Sequence, residues 1–436
     1  MTSISATANW DTKRHPAGLY VLFMTELWER FSYYGMRAIL VYYMMKQLMF
    51  SQQQASSVYG MYTALVYLTP FFGGLLADRF LGQRKSVLVG GVLMAIGEFV
   101  LMSPALFYPG LFLLIIGNGC FKPNISTQVG NLYEAGDHRR DRAFSIFYVG
   151  INLGAFFSPL ICGTLGETYG WQYGFLSAGI GMLVGLAVYI WGQKHLAPDN
   201  VMKRDATSVQ KEKLDSDGKS KLMALAVLCA FNILFWAVYE QQGNTLALWA
   251  DANTDRHIFG WEMPASWLQS FNPAMIFLFT PAVTWFWTWQ AKRGKEPTSI
   301  TKMAIGCMLL GISFLVMLPP ARAYAGSSQP VSLWWLTACT FLLTIGELYL
   351  SPVGLSLVTK LAPAWMVSMV MGLWFLSSFV GNYLSGYMGT FWEVMSKESF
   401  FLMLAAMSFV AGLGILAVLK PLKKATGHGK PENVDA

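Results

Sequence analysis

Charge is scarce in this chain. Only 13% of its 436 residues are Asp, Glu, Lys or Arg, against 54% hydrophobic, where a soluble domain carries about 25% charge. With a mean hydropathy of +0.43, this excludes a soluble protein and points to many membrane spans. No stretch is long and polar enough for a sizeable soluble domain. Cysteine is also rare: Cys120, Cys162, Cys229, Cys307 and Cys339 all fall in apolar segments with no Cys-x-x-Cys spacing, so no metal centre is expected. The five histidines (His15, His138, His195, His257, His428) lie in loops or tails, which excludes an intramembrane histidine as proton carrier. HExxH, GxSxG and GxGD are absent, leaving nothing for a membrane-embedded hydrolase or protease. No cleavable signal peptide is expected, because the first apolar stretch is itself charged.

Twelve apolar segments are long enough to span, near 17–46, 54–78, 85–104, 107–132, 141–164, 172–193, 221–250, 267–291, 299–320, 331–360, 365–390 and 398–420. With a cytoplasmic N-terminus and alternating spans, 24 Lys and Arg fall on the cytoplasmic side, four outside (Lys46, Arg256, Arg322, Lys397) and three within spans (Arg30, Arg37, Lys122). That asymmetry sets the orientation, with both termini cytoplasmic. The net charge of +7 is therefore topology and not a nucleic-acid surface. The fold class expected is all-α integral membrane. Residues 1–193 form a six-helix bundle, 194–220 a charged flexible linker, and 221–436 a second bundle with a cytoplasmic tail. Trp28 to Gly35 and Trp236 to Gly243 repeat one spacing in spans 1 and 7, a faint echo of duplication. Two six-helix halves with a site between them at mid-depth is a transporter layout.

The first span carries Glu26, Glu29, Arg30, Tyr33, Tyr34 and Arg37. Their helical spacing puts all six on one stripe, about 16 Å from first to last at 1.5 Å per residue. Four ionisable groups in one spanning helix are costly unless they face water or each other. The stripe therefore reads as one wall of a polar cavity. Lys122, followed by Pro123 and Asn124, lies well inside span 4, and Glu240 and Glu347 are single carboxylates deep in spans 7 and 10. Neither acid can stay ionised and unpaired in hydrocarbon. Three intramembrane cations and four central carboxylates nearly neutralise one another, and pairs that form and break between the halves would make gates. Glu98 in span 3 reads as a local partner or a shielded, protonated group. Asn152 and Asn272 are amides in apolar context, equally suited to helix packing and to ligand contact. If protons are coupled, carboxylates must carry them; sodium, which needs several convergent oxygens, fits less well.

Glu26-Leu-Trp-Glu-Arg-Phe-Ser-Tyr-Tyr-Gly35 resembles the ExxERFxYYG signature of the proton-dependent oligopeptide transporters, within the major facilitator superfamily. GGLLADRFLGQRK (Gly73 to Lys85) resembles the superfamily loop 2–3 motif, with Gly74, Asp78, Arg79, Gly82 and Arg84 in place. FYVGINLGAF (Phe147 to Phe156) resembles the second family signature, and GELYLSPVGLS (Gly346 to Ser356) the family's span 10. The resemblance covers nearly the whole chain. It implies that Glu26, Glu29 and Arg30 serve proton coupling and substrate binding. It also implies a span 1–span 7 gate pair, Arg37 with Glu240, and a span 4–span 10 pair, Lys122 with Glu347. Arg30 and Lys122 would receive a peptide carboxylate. Glu347, Asn152 and Asn272 would receive its amino terminus. Tyr33, Tyr34, Tyr67, Tyr148, Trp374 and Ser378 match pocket positions. In one respect the chain departs from similar bacterial members: the 194–220 linker is too short and too charged to hold the two extra helices they usually carry.

A zwitterion suits such a cavity. Each peptide residue adds at most about 3.6 Å of reach, so cations on one side and a carboxylate on the other measure length and admit two or three residues. Aromatic walls tolerate varied side chains. The function expected is a proton-coupled symporter importing di- and tripeptides by alternating access, working as a monomer in the bacterial inner membrane. Its partners would be peptides, protons and membrane lipids, and it would need no cofactor or metal beyond the proton gradient. The alternative is a carrier of the same fold for another small substrate, such as nitrate or a drug.

Overall fold

The computed structural model describes residues 14–134, 137, 139–198, 216–361 and 367–419. The expectations for the two tails, and for the linker between 199 and 215, lie outside these residues. Helices dominate: α1 (Ala17–Lys46), α2 (Gln52–Leu76), α3 (Gln83–Leu101), α4 (Phe107–Asn131), α5 (Arg139–Ser158), α6 (Thr164–Tyr169), α7 (Trp171–Gly192), α8 (Ser216–Tyr239), α9 (Thr245–Ala252), α10 (Phe271–Ala291), α11 (Ser299–Leu315), α12 (Leu318–Ser327), α13 (Leu333–Leu361), α14 (Val367–Gly389) and α15 (Lys397–Ala417). A single π-turn extends α2 through Ala77–Leu81, and another, Pro159–Gly163, joins α5 to α6. Among the described residues, eight helical stretches are long and apolar enough to cross a membrane. α1 is not one of them, because its charged stripe exceeds what such a segment carries.

α1 lies between α5 and α7, α3 runs along α4, α2 packs on α4 and α14, and α11 sits between α13 and α15. The interiors are filled by large apolar side chains, among them Phe121, Phe175, Phe314 and Trp249, all fully buried. One end of the molecule holds the turn between α2 and α3 and the start of α5. There Arg84 donates to the carbonyls of Leu196 and Ala197, and Arg139 Nη1 to that of Arg14 (2.9 Å).

At the opposite end, hydrogen bonds join helices from before residue 198 to helices from after residue 216. Tyr42 Oη donates to the Ala247 carbonyl (2.9 Å), Gln52 Nε2 to that of Gly389 (2.8 Å), and Ser56 Oγ to Asn244 Oδ1 (2.8 Å). Glu167 accepts from the Ala265 and Ser266 amides at 2.9 Å each, while Ser270 Oγ donates to the Phe156 carbonyl (2.8 Å). The backbones of α2 and α14 meet at Gly60 and Gly386, where neither residue has room for a Cβ.

Two elements differ from the sequence reading. Span 7, expected as continuous over 221–250, breaks into a 3₁₀ turn at Glu240–Gly243 and restarts as α9. The reason is local. Gln241 turns its amide to the Ser385 carbonyl (2.9 Å), Asn244 is non-helical at φ −118°, and a Cβ on Gly243 would strike the Tyr59 hydroxyl. Residues 321–330, which the sequence reading leaves between the spans 299–320 and 331–360, continue α12 to Ser327. The chain then forms a short strand, β2 (Val331–Ser332), parallel to β1 (Thr254–Asp255).

Candidate functional site

The six-residue stripe of α1 is turned inward. Glu26, Glu29, Arg30 and Tyr33 are buried, and Tyr34 and Arg37 half-buried. Spacing alone accounts for the first cluster. Arg30 stands one turn after Glu26 and next to Glu29. Its Nη2 donates to Glu29 Oε1 at 2.7 Å, its Nε donates to Glu29 Oε2, and its Nε lies 3.2 Å from Glu26 Oε1. Asn118 of α4 adds a longer contact to Glu29 Oε1, 3.4 Å. Tyr33 places its ring under the Arg30 guanidinium, 5.2 Å from the centroid. One cation faces two carboxylates here, and Glu26 Oε2 has no hydrogen-bond partner among the described residues.

Two turns on, Arg37 Nη2 pairs with Glu240 at the end of α8, and Arg37 Nε donates to Tyr59 Oη at 2.7 Å. The two side chains are 12% and 2% exposed. Such a pair is costly to break one-sidedly, about 3–5 kcal/mol. The span 1–span 7 partners named from sequence thus meet.

Lys122 and Glu347 do not. Among the described residues no carboxylate lies within ion-pair distance of Lys122, whose ammonium sits over the Tyr67 ring, 4.9 Å from its centroid. Glu347 instead accepts on Oε2 from Tyr239 Oη (2.5 Å) and Asn272 Nδ2 (3.1 Å). The physical reason is that both donors stand on α8 and α10, the neighbours of α13, whereas Lys122 stands on α4.

Between α1, α5, α8, α10 and α13 lies a cavity of about 220 Å³. Of the residues named from sequence it is lined by Tyr34, Arg37, Tyr67, Tyr148, Asn152, Glu240, Asn272 and Glu347. Trp236, Tyr239, Gln242 and Gln269 also line it and were not foreseen. Asn152 turns its amide to its own helix, donating to the Tyr148 carbonyl (2.9 Å), so its side-chain oxygen is left for other partners. Glu26, Glu29, Arg30, Tyr33 and Lys122 are not on the wall in this conformation. Nor are Trp374 and Ser378: Trp374 packs against Gly354 of α13, and the Ser378 carbonyl accepts from Asn382 (2.9 Å). Both are buried. Glu98 is fully buried on the far side of α1, taking a 3.3 Å contact from Ser32 Oγ. No group of three or more His, Cys, Asp or Glu among the described residues is placed to hold a metal ion.

In the loop 2–3 motif, Gly82 adopts φ +79°, a conformation glycine takes without strain. It turns the chain so that Arg84 reaches the carbonyls following α7. Asp78 and Arg79 are exposed on the π-turn, and Gly74 is half-buried beside Pro123.

The cavity wall thus carries the Glu347 carboxylate at one place and the Arg37–Glu240 pair at another, with tyrosine and tryptophan rings beside them, which is a lining able to meet the charged end of a small polar molecule. A family model described as POT family matches residues 84–208 and 196–407. The chain is 37% identical to the "Uncharacterized transporter YclF" of Bacillus subtilis (strain 168), over 95% of this chain and 96% of that one. It is 33% identical to a di-/tripeptide transporter of Lactococcus lactis subsp. cremoris, over 94% and 97%. A crystal structure of peptide transporter POT in complex with sulfate superposes with a TM-score of 0.87 at 34% identity, covering 94% of this chain and 96% of that one.

Proposed function

This chain belongs to the POT family, and from that premise we infer that it is a symporter importing di- and tripeptides with protons by alternating access. It is a membrane transporter and not an enzyme. The observation that carries the substrate reading is the cavity, whose wall holds Glu347 and Asn272 together with Tyr34 and Arg37 of the α1 stripe and the rings of Tyr67, Tyr148 and Trp236.

In the proposed cycle, Glu347, Asn152 and Asn272 receive the peptide amine, and Arg30 and Lys122 its carboxylate. Tyr33, Tyr34, Tyr67 and Tyr148 bear on the side chains. Trp374 and Ser378 would join them only after a movement of α14. Glu26 and Glu29 share the Arg30 guanidinium, so a proton taken by either acid weakens that pair and frees Arg30 for substrate. Arg37 with Glu240 closes the outer side. Lys122 with Glu347 closes the inner side in the opposite conformation, which requires Glu347 to leave Tyr239. The bridges at the end holding Gln52, Glu167 and Gly389 support an outward-closed state for this structure.

The membrane reading has three further parts. Twelve crossings are proposed. α1, α3, α10 and α14 would cross as well, their polar residues facing protein or cavity. The crossings form two six-helix bundles, 1–193 and 221–436, joined by 194–220, with both termini in the cytoplasm and Arg84 bracing the inner end. The setting proposed is the bacterial inner membrane, with lipids around a functional monomer. The proton gradient alone is the driving force, with no cofactor.

Uptake of labelled dialanine into liposomes holding the purified protein tests the reading. Accumulation above equilibrium is expected only with an inward proton gradient, and unlabelled tripeptide should block it. Absence of uptake by folded protein under either condition would overturn the peptide assignment. In Lys122→Ala, gradient-driven accumulation should fall to the gradient-free level while dialanine counterflow persists. Concentrative uptake surviving in that variant would remove Lys122 from the coupling scheme.

A further inference from the structure

Glu347 is held in an unusual way. Both of its hydrogen bonds, from Tyr239 Oη at 2.5 Å and Asn272 Nδ2 at 3.1 Å, fall on Oε2. Oε1 takes none from the described residues. The donors come from α8 and α10, so two neighbouring helices fix one oxygen of an acid on a third. The phenol ring is itself packed on both of its neighbours. Its ring stacks on Phe235 (centroids 5.6 Å apart, planes 18° apart) and meets the edge of Trp236 (5.2 Å, 81°). An O–H donated to a carboxylate is roughly twice as strong as a neutral pair, and two donors on one oxygen set the carboxylate plane.

We propose that Tyr239 is a positioning residue for the peptide amine: with Asn272 it pins Oε2 of Glu347, so that Oε1 is presented to an ammonium group in the cavity. The inference rests on the reading above that Glu347 receives the amine. It adds that Tyr239, one residue before the gate acid Glu240, links that recognition to the helix break closing the outer side. A shift of α8 that opens the Arg37–Glu240 pair also carries Tyr239 away from Glu347 and frees the acid to turn toward Lys122. Amine capture and outer closure therefore occur together.

The test compares Tyr239→Phe with the unaltered chain, using two ligands that differ only by the amine, dialanine and propionyl-alanine. Apparent Kd values come from ligand-dependent melting of the detergent-solubilised full chain. Phenylalanine keeps the ring on Phe235, so the fold is retained. The expected result is a dialanine Kd raised about tenfold with propionyl-alanine changed by less than about twofold, as for loss of a hydrogen bond to a charged group. Equal weakening of both ligands would reduce Tyr239 to ring packing and overturn the proposal, as would no change in either. If the unaltered chain binds propionyl-alanine as well as dialanine, the fault lies earlier, in the amine reading of Glu347, and the inference falls with it.

Discussion

Glu240→Gln is expected to lower gradient-driven dialanine uptake by about 100-fold, with the loss in turnover and not in the amount of folded protein. Arg37 is 12% exposed and its guanidinium has two partners, Glu240 and the Tyr59 hydroxyl. Removing the carboxylate leaves a buried cation facing a phenol and a neutral amide. The cost, about 3–5 kcal/mol, falls on the outward-closed state alone, because opening lets water reach both groups. The equilibrium moves toward the open state by that difference, and the cycle stalls before release. Arg37→Gln should stall in the same way, with the acid as the stranded charge. The double variant Arg37→Gln with Glu240→Gln strands no charge, so it should close and transport better than either single one. That non-additivity separates a gate pair from two independent contacts. Uptake by either single variant at the unaltered rate would show that the pair does not close the outer side.

The α1 stripe was legible in the sequence because a helix converts spacing directly into a face. Glu26, Glu29 and Arg30 are close enough in sequence that the helix alone brings them together. The Arg37–Glu240 pair joins residues 203 positions apart, and it was reached through the ExxERFxYYG resemblance together with the rule that buried charges seek partners. The same reasoning joined Lys122 to Glu347, which stand apart here. A sequence holds the charges of every state at once, whereas a structure holds the pairing of one. Tyr239 was invisible for another reason. It is one of 19 tyrosines, and its role comes from a 2.5 Å contact between helices 108 residues apart, which no periodicity encodes. The break after Tyr239 could have been suspected from Gly243 and Asn244, but what enforces it is Gln241 bonding to α14. Trp374 and Ser378, carried over from the resemblance, face packing contacts. Their expected place on the cavity wall depends on how α14 sits, which sequence does not record.

Gly386→Leu is expected to leave no dialanine uptake above that of empty liposomes. A Cβ at 386 would lie 2.6 Å from Gly60 Cα and 2.8 Å from the Ser56 carbonyl oxygen, and one at Gly60 would run into Gly386 Cα. Both obstacles are backbone, so no side chain can rotate away, and the leucine must push α2 and α14 apart. That separation also breaks Gln52 Nε2 to the Gly389 carbonyl and Ser56 Oγ to Asn244 Oδ1, each 2.8 Å. Overpacking costs about 1–3 kcal/mol where a core can adjust. Here the chain has a cheaper escape, which is to leave its outer side open. Gly60→Ala and Gly386→Ala add a single carbon and should give partial uptake, grading the effect by size. A cysteine pair replacing Gln53 and Thr390, which border the groove between α2 and α14, reads the geometry directly. The pair should cross-link in the otherwise unaltered chain and fail to do so beside Gly386→Leu. If the leucine variant cross-links and transports normally, the glycine contact belongs to packing alone, and closure must be carried by the Arg37–Glu240 pair and the Glu167 bridge to the start of span 8.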